Sequence, residues 1–357
     1  MTAVGDDPHL DIAGEAGFNA KQIDVLDVKN CLREEMMKKF IATLFAAATL
    51  MFASSAIAQD NYPSRPVKLL IGFPVGGLLD TVARIVGEKF SSLLGQQFVV
   101  EARAGAGGAL ATGALANAEP DGLTLMVVND NHALNPATMK NLPYDSVKDF
   151  QMIGFIGYTP LILVAHPSLP VKSVKELIEL AKKEPGALTY GSVGPGSAPH
   201  LAGEMLAAAS GTKLQHVPYR GGAPATTDLL AGHIKIMFQS PVIGLRNIEA
   251  GKIVGLALAA DRRLDILPNL PTMKEEGYPL EASYWFGLMA PAKTPSAIVA
   301  KLEKALAETL AMPDVRKRFG ELGAIVQPMN RKEFTAYVNS ELSKWADVVK
   351  KAGIEPN

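Results

Sequence analysis

The sequence predicts an α/β protein of two lobes, each a mostly parallel sheet flanked by helices. Three observations point there. A βαβαβ rhythm fills residues 66–129, and a similar strand–helix rhythm returns over residues 160–260. Composition is the third: 48% apolar, 20% charged and 6% aromatic residues in a chain of 357 supply enough aliphatic side chains for a large core.

The elements follow in order. PVKLLIGF (66–73) reads as a strand from its apolar and β-branched content. Asp80 to Leu94 reads as an amphipathic helix, with Val82, Ile85, Val86, Phe90 and Leu93 on one stripe and Gly95 as its stop. Phe98–Glu101 is a second strand, the turn 105–108 opens a small-residue helix, and Leu123–Asn129 is a third strand. Residues 130–150 read as looser chain, and 149–164 as alternating strand and turn. Beyond them come a helix over 174–183, strands at 188–192, 214–219, 234–239 and 253–259, and helices at 200–209 and 223–231. A strand over 283–290 and helices at 294–311, 313–322 and 332–351 close the chain. The last part is expected to return to the first lobe, so that the chain crosses between lobes near 160 and near 285.

The N-terminal region carries a different signal. Met36-Met37-Lys38-Lys39 is a basic start, residues 40–53 are apolar, and Ala56-Ile57-Ala58 is an A-x-A cleavage pattern. Residues 36–58 therefore read as a secretory signal peptide, and 1–35 as an upstream extension that is not native to the protein. The mature chain would start at Gln59. The removed part holds 5 basic and 8 acidic residues, which leaves 30 basic against 28 acidic, a charge of +2. Cys31, the only cysteine, lies upstream, so the mature protein is expected to have no disulfide and no thiol for a lipid anchor.

Three segments share the shape strand, glycine-rich turn, helix start: FPVGG (73–77), GSVGPGSAPH (191–200) and YRGGAPA (219–225). Glycine lets backbone N–H groups face a ligand, and a helix N-terminus adds unpaired donors and a partial positive charge. Such loops facing one another favour a small anion such as a carboxylate, with Ser192 and Ser197 as added hydroxyl donors. Taken singly, each is equally an ordinary βα connection. Asn129, Asn131, His132 and Asn135 form a polar cluster after the third strand, suited to a ligand's second polar end or to satisfying their own turn. Tyr219, Trp285 and Phe286 are candidate cleft aromatics or core.

Other chemistries find little footing. A net charge of −1 leaves no electrostatic footprint for nucleic acid. The turn 105–108 has Leu110 where a dinucleotide fingerprint needs its third glycine, and no glycine turn is followed by a Lys-Ser/Thr pair. No G-x-S-x-G elbow or H-E-x-x-H motif occurs; Ser197, His200 and Asp228 make a triad only on paper. No cofactor, metal ligand set or catalytic residue is expected.

Together, YPSRPVKLLIGFPVGGLLDTVAR (62–84), EARAGAGG (101–108), EPDGLTL (119–125), NLPYDSVKDF (141–150), LTYGSVGPGSAPHLAGEM (188–205), HVPYRGGAPATTDLLAGHI (216–234), LPTMKEEG (270–277) and WFGLMAPAKTP (285–295) resemble the Bug or TctC-type periplasmic solute-binding proteins of tripartite tricarboxylate transporters. The resemblance implies a Venus-flytrap, periplasmic binding protein-like fold. Lobe 1 would comprise 59–163 plus 285–357, and lobe 2 residues 164–284. It implies a small organic acid held between the lobes by loops 73–80 and 191–200, and membrane permease subunits as partners. A sensor that presents ligand to a signalling receptor, or a secreted enzyme on the same scaffold, are the alternatives.

The ligand contacts so implied are Phe73, Pro74, Val75, Gly76, Gly77, Leu79 and Asp80 in the first loop, and Ser192, Gly194, Ser197 and His200 in the second. Asn131, His132, Asn135, Tyr219, Gly221, Gln239, Ser240 and Phe286 complete the set. Two departures from the family pattern stand out. Leu79 takes the place of a common Thr or Ser, which suggests a less polar pocket wall. Gln239 takes the place of a common acid, which weakens the case for an amino acid and points to a non-amino mono- or dicarboxylate.

Overall fold

The computed structural model describes residues 62–219 and 221–356; the extension, the signal peptide and Cys31 lie outside them. Two sheets organise the described chain. The first has six strands in the order β11-β4-β10-β3-β1-β2, and the second has five, β7-β6-β8-β5-β9.

In the first sheet, β1 (Val67–Ile71) lies between β2 (Phe98–Ala102) and β3 (Thr124–Asn129), parallel to both. The crossovers are α1 (Leu78–Leu94) and, after a 3-10 turn at Ala106–Gly108, α2 (Ala109–Ala116). Helix α1 buries Leu79, Val82, Ile85, Val86 and Phe90, spaced for one face, and ends on the left-handed Gly95. A short helix, α3 (Asn131–Thr138), occupies the stretch the sequence marks as loose. Pro136 and two asparagines hide it from pattern reading.

The long strand β4 (Phe150–Pro160) continues through Leu161 into β5 (Ile162–Ala165) of the second sheet. The second sheet then adds α4 (Val174–Lys183), β6 (Thr189–Ser192), α5 (Ala198–Ser210), β7 (Gln215–Pro218), α6 (Gly222–Ala231), β8 (Ile236–Gln239), α7 (Pro241–Glu249) and β9 (Val254–Leu258). Strand β10 (Ser283–Pro291) re-enters the first sheet between β3 and β4. Helices α8 (Ser296–Ala311) and α9 (Pro313–Glu321), strand β11 (Ile325–Met329) and helix α10 (Arg331–Ala352) complete the fold.

The sheets are mixed rather than mostly parallel. β10 runs antiparallel to β3 and β4, β11 antiparallel to β4, and β5 antiparallel to β8 and β9. A parallel pair needs a long crossover, whereas a strand that passes straight from one sheet to the other, or returns from it, enters against its neighbours. Sequence reading also misses α7 and β11; the first is only nine residues long, and Pro328 and Gln327 break the apolar pattern of the second.

Helix α10 ties the halves together. Its N-terminus has a capping box, Asn330 with Glu333, and it lies across α3 and β4 and reaches α5 of the second sheet. Buried Trp345 donates to Glu341 at 2.9 Å. The core beneath it runs without a break from Trp285 and Phe155 to Leu163, Leu206 and Tyr190.

One close approach sets the geometry of the first sheet's ligand-facing edge. A Cβ on Gly72 would stand 2.6 Å from the Cα of Gly108. Gly72→Ala must therefore push the β1 loop off the 3-10 turn, and should cost about 1–3 kcal/mol in urea unfolding. Unchanged stability would show that these two backbones do not touch in solution.

Candidate functional site

The residues after β1 make a loop whose outer part is bare. Phe73 is half-buried against Gly108, whereas Pro74, Val75, Gly76 and Gly77 are exposed, Val75 to 65%. Gly77 begins α1 without any side-chain cap, and among the described residues the N–H groups of Gly77, Leu78 and Leu79 have no acceptor. Asp80 serves the loop itself. Its carboxylate accepts the Gly76 N–H at 3.0 Å and pairs with Arg84 at 3.0 Å, and the Arg84 hydrogen bond lowers its pKa despite the surrounding burial. The expected ligand contact at Asp80 is thus a clamp holding Gly76 in its left-handed turn (φ +86°). Leu79 is a second correction: it is buried among Ile71, Val82 and Phe286, and is no part of a pocket wall.

The loop after β6 is built differently. Ser192 is fully buried, and its Oγ accepts the Gly194 N–H at 3.1 Å and lies 2.6 Å from Nε2 of His216. Ser197 precedes α5, yet its hydroxyl donates to Gly194 O at 2.6 Å instead of capping the helix. His200 accepts the Gly196 N–H on Nδ1 at 3.0 Å. Its ring stacks on His216 with centroids 3.8 Å apart, and Tyr190 stacks beyond at 5.0 Å from His216. Among the described residues the N–H groups of Ala198 and His200 have no acceptor, so the start of α5, like that of α1, keeps free donors.

The Ser192–His216 pair has the spacing of a nucleophile and its base. Ser192 has no exposed surface, however, and the ring next to His216 is His200 where an orienting carboxylate would be needed. The pair instead fixes the loop. Sequence reading missed His216 and Tyr190 because strand residues 24 and 2 positions from Ser192 carry no local signal.

The third loop starts α6 at Gly221, left-handed at φ +112° and without a side-chain cap. The Tyr219 N–H donates to Ser192 O, and its hydroxyl donates to Asp228 at 2.7 Å; burial, then Asp228, raise its pKa to about 12. The asparagine cluster turns inward. Asn135 donates to Gly107 O at 3.1 Å, Asn131 accepts from Asn129 at 3.1 Å, and His132 meets Ser146 O at 2.9 Å in a nest with Tyr144 and Phe150. His132 and Asn135 are each 2% exposed and hold their own loops, so the expectation that they meet a ligand is corrected. Phe286 is likewise core, packed with the α1 residues. Gln239 ends β8 fully buried with both amide atoms unpartnered, and Ser240 starts α7 half-buried.

Thr138 is the contact that sequence reading could not supply. A Cβ on Gly196 would come within 2.5 Å of its methyl group, so the loop after β6 rests directly on the C-terminal end of α3. The loop after β6 and the helix that follows β3 thereby meet across the two sheets. A surface cleft of about 460 Å³ lies elsewhere, between Phe150–Met152 and Arg331–Asn339, away from the uncapped helix starts.

Two mixed α/β lobes joined by crossing strands, with uncapped helix starts after strands of both sheets, define a periplasmic binding protein-like fold. The family model described as tripartite tricarboxylate transporter family receptor (TctC) matches residues 82–354, and the chain belongs to that family. Protein BugT of Bordetella pertussis is 33% identical over 317 residues, covering 88% of this chain and 95% of that protein. Among solved structures, R. palustris Rpa4515 with adipate is 32% identical at a TM-score of 0.75, covering 83% of this chain and all of that one. The periplasmic binding protein BugD is 36% identical at 0.72, with 83% and 100% covered. MatC from Rhodopseudomonas palustris with bound malate is 33% identical at 0.69, with 81% and 100% covered.

The buried rings give this site a pH signature. Burial pushes His132, His200 and His216 down from 6.5 to about 4. The folded state holds them neutral while the unfolded chain takes up protons below 6.5. Stability is therefore fully present above that value and is lost as pH falls from about 6.5 through 4. Urea unfolding across this range should show the fall, and His216→Gln should make it shallower. An identical pH slope in the variant would remove His216 from the account.

Proposed function

We propose that this chain is the periplasmic recognition component of a tripartite tricarboxylate-type uptake system, and that it captures a small organic carboxylate between its lobes. The observation that carries this reading is the pair of uncapped helix starts, α1 and α5, each with free N–H groups and each following a strand of a different sheet. A carboxylate supplies the acceptor and the negative charge that both ends lack. The similar proteins whose structures hold adipate and malate support the ligand class.

The mechanism follows from placement. An acid that touches loops of both sheets gains more from the closed arrangement than from the open one, and shifts the population toward closure. The Gly196–Thr138 contact joins loops of the two sheets. The closed form then docks on membrane permease subunits, and the protein releases its guest unchanged. The basic start and apolar run at 36–58 support export to the periplasm with cleavage before Gln59. We read residues 59–163 with 285–357 as one lobe and 164–284 as the other.

A thermal-shift and native mass-spectrometry screen against mono- and dicarboxylates tests the reading. A binding acid at a hundred times its dissociation constant stabilises the folded state by about 2.7 kcal/mol. No shift with any acid would sink the assignment. The site is tested by Gly76→Val. Gly76 and Gly95 both have left-handed backbones, and neither has a heavy atom within 4 Å of a new Cβ. Each substitution carries a strain of about 1–2 kcal/mol, yet only Gly76 is in the loop. Gly76→Val should weaken acid binding more than tenfold, whereas Gly95→Val should leave it unchanged. Equal affinities in the two variants would move the site away from this loop.

A further inference from the structure

Strand β4 begins with an edge that its neighbour leaves uncovered. β11 pairs with it only over Phe155–Tyr158, and a Cβ on Gly154 would lie 3.2 Å from Met329 O, where β11 ends. Phe150–Ile153 stand beyond that end. On their other side they run along β10, with Phe150 opposite Pro291 and Gln151 opposite Ala290. One step further, Ala292 N–H donates to Asp149 O at 3.0 Å. Backbone direction alternates along an antiparallel ladder, so Asp149 and Gln151 face β10, whereas the N–H and C=O groups of Phe150 and Met152 face outward. Among the described residues neither of these two N–H groups meets an acceptor.

The uncovered edge opens into space on both faces of the sheet. On the face toward α10, Phe150 and Met152 line the cleft of about 460 Å³ together with Val338 and Val147, which is 49% exposed. On the face toward α8, a smaller cleft of about 140 Å³ is lined by Ile153, Leu306, Leu310 and Pro328. The faces are opposite ones, since Phe150, Met152 and Val338 share one core, and Ile153, Leu306 and Leu310 the other. Both charged residues of the larger cleft, Arg331 and Lys332, are basic, and among the described residues neither is in an ion pair. The acids nearby serve backbone instead: Asp145 accepts from Val147 and Lys148, Asp149 from Asp145, Glu333 from Asn330 and Glu303 from Arg331.

An unpaired strand edge is a template for one more strand, whose side chains alternate between the two faces. The edge is recessed between α8 and α10, so a single segment enters it, whereas a second sheet would bring its own covering helices into collision with these. We propose that β4 takes up, along Phe150–Ile153, an extended segment of a partner protein in which an acid, a small residue and a large apolar residue stand in succession, in either direction. The acid and the large side chain, two positions apart, share a face and enter the larger cleft, with its apolar floor and its two cations. The small residue between them turns into the smaller cleft. Main-chain bonds to Phe150 and Met152 give attachment, and the two clefts give selectivity. The site lies at the end of β4 remote from the crossing at Leu161, roughly 30 Å away by strand length. It deepens the reading above, which requires a membrane partner, and rests on that reading only for the partner's being a permease subunit.

The probes are two fluorescein-labelled heptapeptide amides, TTEAFTT and TTFAETT, titrated onto the full chain by fluorescence anisotropy. At least one should bind, and lysine in place of its glutamate should weaken it about tenfold. Arg331→Glu combined with Lys332→Glu should reverse that order, so that the lysine peptide becomes the tighter one. Ala336→Trp, which fills the larger cleft, should abolish binding of both. All three positions are exposed, so the urea midpoint of these variants should not fall. Methylating alternate backbone nitrogens of the peptide should abolish binding in one phase and spare it in the other, because an added strand turns only every second N–H toward its neighbour. In residue-resolved hydrogen exchange, the peptide should slow the amides of Phe150 and Met152 and leave that of Gln151 unchanged. Failure of both peptides to bind, equal binding by the two methylation phases, or amides of Phe150 and Met152 already protected in the chain alone would each overturn the proposal. Self-association that protects these amides would also overturn it, by giving the edge to a second copy. Acid capture is read separately by the carboxylate thermal-shift screen, so the two readings fail independently.

Discussion

The structure turns on unpaired main-chain donors. An α-helix leaves its first N–H groups without intrahelical acceptors, and a protein must cap them, wet them or give them a ligand. Here α4 and α10 are capped by Ser173 and Asn330. Helices α1 and α5 are not, although α5 has a serine in the capping position. Ser197 turns its hydroxyl back to Gly194 and leaves the helix end open. The loop is held in shape by its own side chains, and the donors stay free.

That division of labour explains the side chains around each loop. Asp80 with Arg84, Ser192 with His216, and His200 with the Gly196 amide all bond to loop backbone or to one another. Each removes a polar group that would compete with a ligand for the free N–H donors. Stacked imidazoles suit this task because burial keeps them neutral above about pH 4, so neither ring adds a positive charge beside the loop after β6. The polarity of the site then comes from the backbone, which cannot titrate.

How much of this was legible in the sequence depended on whether the signal was local. The βα rhythm and the glycine turns gave away the strands, the helix starts and the three loops, because apolar periodicity and left-handed turns act over a few residues. The identity of the clamp residues was not legible. Asp80 reads as an acid at a helix start, and only the distance to Gly76 N–H shows which way it faces. Leu79 and Phe286 read as pocket walls because they flank glycine or follow tryptophan; the pleat and the helix face, which decide burial, place both in one core. Thr138 and His216 left no trace at all, since their importance arises from partners on other elements.

The crossing strands set how the lobes can move. Leu161 N–H bonds to Ala282 O at 2.9 Å, Ala259 N–H to Leu161 O at 2.8 Å, and Ala282 N–H to Ala259 O at 3.1 Å. These three bonds join the outgoing segment, the end of the second sheet and the returning segment at one level. A sliding motion would break them together, whereas a bend about that level preserves them, so these bonds favour a hinge over a shear. In a hinge, displacement grows with distance from the axis. The loops after β1 and β6 lie strands away and travel furthest, whereas Asp130 and Gln239 stand one strand from the crossing and move least.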